Sequence, residues 1–118
     1  DSIYIHSSRG FTINNHVKPD LAAPGVNVYG PALSRTPSSS PLVMTRRSGT
    51  SVAAAHAAGA AASILSWGLV EGNDPGMTQT ALRSYLIRGA RRSPAFTYPN
   101  REWGYGILDL YQTFRSIS

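Results

Sequence analysis

The sequence predicts an α/β chain that is incomplete on its own, and three observations lead there. Residues 51–67 form one segment that is apolar on every side, two further segments are amphipathic, and the chain supplies only three short strand-like runs. An all-apolar helix must be covered around its whole circumference. Two amphipathic helices and three short strands cannot cover it, so partner segments are expected from elsewhere in a parent protein or from another chain.

The first helix is read over residues 50–67, within which 12 of the 17 residues from Ser51 to Trp67 are Ala, Val, Ile, Leu or Trp. That stretch would be about 25 Å long, short of the roughly 30 Å hydrocarbon core, so it reads as a core helix and no membrane is expected. Strands are expected at "IYI" (3–5), "VNVY" (26–29) and from "LVM" (42–44). The first two are separated by a loop broken at Pro19, Pro24 and Gly25. Residues 30–41 form a Ser/Pro-rich stretch that reads as a flexible surface loop, with a proteolytic target or recognition surface as the functional counterpart for 34–41. "EGNDPG" is a connector. Thr78 then caps a second helix with Leu82, Tyr85 and Leu86 on one face, and Gly89 ends it. A third helix, 108–117, carries Leu110, Tyr111, Phe114 and Ile117.

Composition bounds function. The chain has 118 residues, enough for one ordinary domain and no more. Its 42% hydrophobic content is globular. Without cysteine there is no disulfide framework and no thiolate metal ligand, and the compartment stays open. The net charge of +5 is scattered, with small groups at Arg46–Arg47 and Arg88–Arg92 and no interleaved aromatic platform, so nucleic acid is not expected as a partner. "DSIYIHSSRG" carries no signal peptide and reads as if cut from something longer.

Chemistry concentrates at "RRSGTSVAAAHAAGAAAS". Ser51 stands at the start of the helix, in the positive end of its dipole, with an outward N–H that could stabilise an oxyanion. The same position suits a capping serine, and on these residues alone the cap is the default reading. His56 cannot serve as its base. Five residues along a helix amount to about 7.5 Å of rise and about 140° of rotation, so His56 is expected as a buried structural histidine. Neither His6 nor His16 comes with an orienting carboxylate, and Asp20 reads as an ordinary loop residue. "GTSVA" lacks the second glycine of a nucleophile elbow. Asn73 and Asp74 could supply only a few of a calcium ion's oxygens, so no metal site is expected here.

The segment "GTSVAAAHAAG" resembles the serine signature of the subtilisin-like serine proteases, G-T-S-M-A-x-P-H-x-A-G, and "SSRG" with "KPDLAAPG" resembles a stretch that precedes it in that family. "LIRGARR" and "YPNREWGYGILDLYQTF" are similar to the C-terminal helices of clostridial subtilases, the Csp germination proteases among them. The resemblance implies the C-terminal portion of a subtilisin-like fold, a parallel sheet flanked by helices. It implies Ser51 as nucleophile, its N–H as an oxyanion donor, and Gly49 and Thr50 as the turn beside the substrate cleft. The partner Asp and His are then expected upstream of residue 1, since the chain order in subtilisin is Asp, His, Ser. His56 matches the signature's structural histidine. Ala55 departs from the usual proline, which alters packing and leaves the chemistry alone.

On that resemblance the whole protein is expected to be a serine endopeptidase acting on peptides or proteins, and these residues alone to be inert. The alternative is a pseudoprotease that keeps the fold to bind and regulate a partner. No cofactor is expected in this segment, with calcium possible in the full-length protein, and the resemblance suggests a secreted, cell-surface or spore-associated bacterial protein.

Overall fold

A computed structural model describes residues 2–32 and 43–117. In chain order it contains β1 (Val28–Ala32), β2 (Val43–Arg47), α1 (Thr50–Leu65), α2 (Gln79–Arg88) and α3 (Leu110–Ile117). β1 and β2 pair antiparallel in a two-stranded ladder, from Val28 opposite Arg47 to Ala32 opposite Val43. The Ser/Pro-rich stretch expected as a surface loop lies mainly outside the described residues, although its first three residues, Gly30 to Ala32, are strand. The strand expected at 3–5 does not form. Ile3 and Tyr4 are irregular and the chain turns at Ile5 and His6, with no neighbouring strand to pair them among the described residues.

Parallel pairing occurs at one point among the described residues. Ile107 bridges Ala22 in parallel and Arg91 antiparallel, through bonds such as Leu108 N–H to the Ala22 carbonyl (2.7 Å) and Arg91 N–H to the Ile107 carbonyl (2.8 Å). Three distant segments are thereby tied together behind the start of α1. The third helix starts at Leu110, two residues later than the sequence suggests, because Leu108 is held in this extended tie. Asp109 then caps the helix by accepting the Gln112 N–H at 2.9 Å.

The core sits where the second half of α1 meets α2 and α3. Ala60, Ile64 and Leu86 are buried, flanked by Leu21, Met77, Leu82, Tyr85, Leu108, Leu110, Phe114 and Ile117. Thr78 caps α2 as expected, its hydroxyl accepting the Ala81 N–H at 3.2 Å. On α3, Leu110, Phe114 and Ile117 face the core, whereas Tyr111, assigned by sequence to the same stripe, is 74% exposed. One residue beyond Leu110 lies 100° around the helix.

Gly89 ends α2, but not by adopting a left-handed conformation, since its φ is −86°. A Cβ there would lie 2.3 Å from the Thr113 Cα and 2.1 Å from its Oγ1. Glycine is what lets α2 and α3 touch. Thr113 is fully buried and its hydroxyl donates to the Asp109 carbonyl at 2.8 Å. Gly89→Ala is expected to force α3 outward and cost about 1–3 kcal/mol. An unchanged melting temperature of the full-length protein would show that the contact is not tight.

α1 does not stop at Trp67. A wider turn, Ser66–Val70, extends it, with the Glu71 N–H reaching the Ser66 carbonyl five residues back at 3.0 Å. The continuous helix is 21 residues long, about 31 Å. Its length and composition therefore suffice to cross a membrane, and the shortness that the sequence reading relied on is gone. Its second half instead packs on α2 and α3. Its first half is largely open: Ala54, Ala55, His56 and Ala58 are exposed.

Candidate active site

The site is assembled by a clamp between two segments that are distant in sequence. The Gly49 N–H donates to the Gly25 carbonyl at 2.7 Å, and the Asn27 N–H donates to the Ser48 hydroxyl at 2.8 Å. A Cβ on Gly25 would stand 2.8 Å from the Gly49 carbonyl oxygen, so the approach needs glycine there. The "AAPG" segment thus fixes where α1 begins.

Gly49, not Ser51, is the N-cap residue. Its backbone sits at φ 147°, ψ 161°, a region open essentially to glycine, and its carbonyl accepts from Val52 (3.1 Å) and Ala53 (3.4 Å). No side chain caps α1. Ser51 is therefore the second residue of the helix, and the capping reading fails because its hydroxyl lies two residues past the N-cap. The Ser51 hydroxyl is exposed and, among the described residues, holds no hydrogen bond within the chain. The N–H groups of Thr50 and Ser51 likewise find no carbonyl among the described residues. An exposed serine, two open N–H groups and the positive end of a helix dipole form an arrangement suited to meeting a developing negative charge.

Beside this start lies an apolar groove of about 490 Å³, lined by Ala22, Ala23 and Gly25 on one side and Gly49, Ala53 and Ala57 of α1 on the other. Ser51 stands outside it.

None of the three histidines hydrogen-bonds Ser51 among the described residues. His56 is exposed rather than buried, with Nδ1 3.0 Å from the Val52 carbonyl oxygen one turn back. Its expected burial required a cover that the described residues do not provide. His6 makes an edge contact with Tyr4 (5.2 Å between centroids), and His16 sits in an exposed turn with Thr12. Among the described residues, no three metal-ligating side chains gather. The Asn73 amide donates to the Trp67 carbonyl at 2.9 Å, and Asp74 accepts the Tyr85 hydroxyl at 2.6 Å.

Asp20 has a role that sequence reasoning missed. Its carboxylate accepts from Lys18 (2.8 Å) and from Arg83 of α2 (2.9 Å), tying the "KPD" loop to the helix layer. Desolvation pushes this carboxyl up, but the hydrogen bonds and charges of Lys18 and Arg83 outweigh it and hold it below the ordinary carboxylate value. A lowered folded pKa means that the contribution is present above the unfolded value and is lost as pH falls through the folded one. Asp20→Asn should therefore lower the melting temperature near neutrality by the equivalent of at most ~1 kcal/mol, given the exposure of both partners. That difference should close as pH drops below the carboxylate range. A difference that stayed constant down to the acid limit would exclude the ion pair as its source.

The structure thus presents a serine near the N-terminus of a small-residue helix, with a clamp at Gly25 and Gly49 beneath it. The particular family follows from comparison. The chain belongs to the subtilase family, peptidase S8, whose model matches residues 1–106. It is also similar to the solved Clostridium perfringens CspB protease, with 33% sequence identity and a TM-score of 0.75 over 92% of this chain. The aligned region is 22% of that protease, so the chain spans about a fifth of its relative's length. Comparison with curated proteins gives no match. The fold is thus a subtilase fold in part, represented here by its helices and a small sheet.

Proposed function

We propose that this chain is the C-terminal, nucleophile-bearing segment of a single subtilisin-like catalytic domain. Ser51 attacks the peptide carbonyl of a peptide or protein substrate, its N–H donates to the oxyanion, and Gly49 and Thr50 shape the turn beside the cleft. An upstream His takes the Ser51 proton, an upstream Asp orients that His, and water hydrolyses the acyl-enzyme. The observation that carries this reading is Ser51 itself: exposed, and without a hydrogen-bond partner for its hydroxyl among the described residues, at a helix start built on Gly25 and Gly49.

The open half of α1 supports incompleteness. Ala54, Ala55 and Ala58 face solvent and the adjoining groove is apolar, as expected of a core helix whose sheet is supplied by the upstream segment. No residue of this segment is assigned to a cofactor or metal. The test is release of product from a peptide p-nitroanilide by the full-length protein. Turnover supports the protease. Stable binding of the peptide without turnover would favour the regulatory, non-hydrolytic alternative.

A further inference from the structure

From Leu21 to Val70 the chain has no aspartate or glutamate, yet Arg35, Arg46 and Arg47 fall in this stretch together with Ser51. Elsewhere four of the five acids of the described residues are engaged: Asp20 with Lys18 and Arg83, Glu102 with Arg9 (3.9 Å), Asp74 with Tyr85, and Asp109 in the cap of α3; the fifth, Glu71, lies at the far end of the α1 extension and pairs with neither Arg46 nor Arg47. The strand that delivers the serine therefore carries positive charge without internal compensation. Arg46 and Arg47 are both exposed at the end of β2, and neither pairs with a carboxylate among the described residues.

Arg46 is also held in place. Its guanidinium lies over the Tyr29 ring, 4.5 Å from the centroid, and donates to the Tyr29 hydroxyl from the opposite strand. One donor is used and the rest of the fork stays open, with part of its ordering cost already met before anything binds. Arg47 is the next residue of the strand, so it projects from the other face. The two charges bracket β2 four and five residues before Ser51, which puts the Arg47 Cα within about 14 Å of the serine Cα. An extended substrate advances about 3.3 Å per residue, so side chains a few residues from the scissile bond pass through this zone.

We infer that Arg46 and Arg47 make the Ser51 site selective for substrates with an aspartate or glutamate within a few residues of the bond that is cut. The inference rests on Ser51 being the nucleophile and adds the substrate class to that reading. A planar guanidinium meets a carboxylate in a two-point hydrogen bond, which neutral or basic side chains cannot supply. Both arginines are solvent-exposed, so the preference weakens with salt.

The experiment uses the full-length protein and peptide pairs that differ only as Glu against Gln, placed in turn at each position flanking the cleaved bond. At one or more positions kcat/KM for the Glu peptide should exceed that for its Gln partner by about tenfold at low salt, as for a charge-assisted hydrogen bond. The ratio should shrink as ionic strength rises. It should approach one in the Arg46→Gln, Arg47→Gln double variant. A wild-type ratio near one at every position, or a ratio insensitive to both salt and the double variant, overturns the inference. Should that variant fail to fold, the salt series on the wild-type protein decides. If Gln peptides are cut, and Ser51→Ala stops it, a flat ratio sinks this inference alone. No turnover of either peptide sinks the nucleophile reading with it.

Discussion

Ser51→Ala in the full-length protein is expected to lower peptide turnover by about a millionfold while leaving the melting temperature nearly unchanged. The first figure is the size of effect seen when a subtilisin nucleophile is removed. The second follows from the helix start. Because Gly49 supplies the N-cap and the Ser51 hydroxyl caps nothing, the substitution removes no folding interaction. Had Ser51 been a capping residue, the loss would have been about 1 kcal/mol. Steady-state kinetics and a thermal melt on the same preparation read both quantities. Turnover within a few-fold of wild type would remove Ser51 from the mechanism.

Ile64→Ala is expected to produce the largest loss of stability, about 2–5 kcal/mol. Ile64 is fully buried and lies in the cluster where α1 meets Leu86 of α2. Truncating it leaves a cavity in the core cluster that the described residues close around the second half of α1. Ala54→Leu gives the contrast. Ala54 is exposed here, so the overpacking expected of a tightly enclosed small-residue helix does not arise within these residues. In the full-length protein, where we propose that an upstream sheet covers that face, Ala54→Leu should cost about 1–3 kcal/mol. Equal, negligible effects of Ile64→Ala and Ala54→Leu on melting of the full-length protein would contradict this division of the helix.

The contrast shows where sequence was informative. The alanine run, the Thr78 cap and the Leu110, Phe114, Ile117 stripe are local features, set by propensity and by spacing along one helix, and they appear as read. The features that were not legible depend on contacts across the chain. Gly49 replaces Ser51 as the cap because Gly25 and Asn27, more than twenty residues earlier, hold the turn in a conformation that only glycine enters. Asp20 looked ordinary because Arg83, which it pairs with, is 63 residues away. Gly89 ends α2 as read, but the reason for glycine there was hidden, because it comes from Thr113 on another helix. His56 looked buried because its neighbours are alanines, which say that a face is apolar but not that this chain covers it. The strand expected at 3–5 needed a partner that the described residues do not supply.

The central claim is that Ser51 is a nucleophile whose base comes from upstream of this chain, and labelling with a fluorophosphonate probe tests it most directly. A serine reacts with the probe only when a neighbouring base removes its proton, and no histidine hydrogen-bonds Ser51 among the described residues. Full-length protein and the isolated 118 residues are treated in parallel and the modified residue is located by peptide mapping. The account predicts a single adduct at Ser51 in the full-length protein and none in the isolated segment. Equal labelling of both, or an adduct at another serine of the full-length protein, would contradict it.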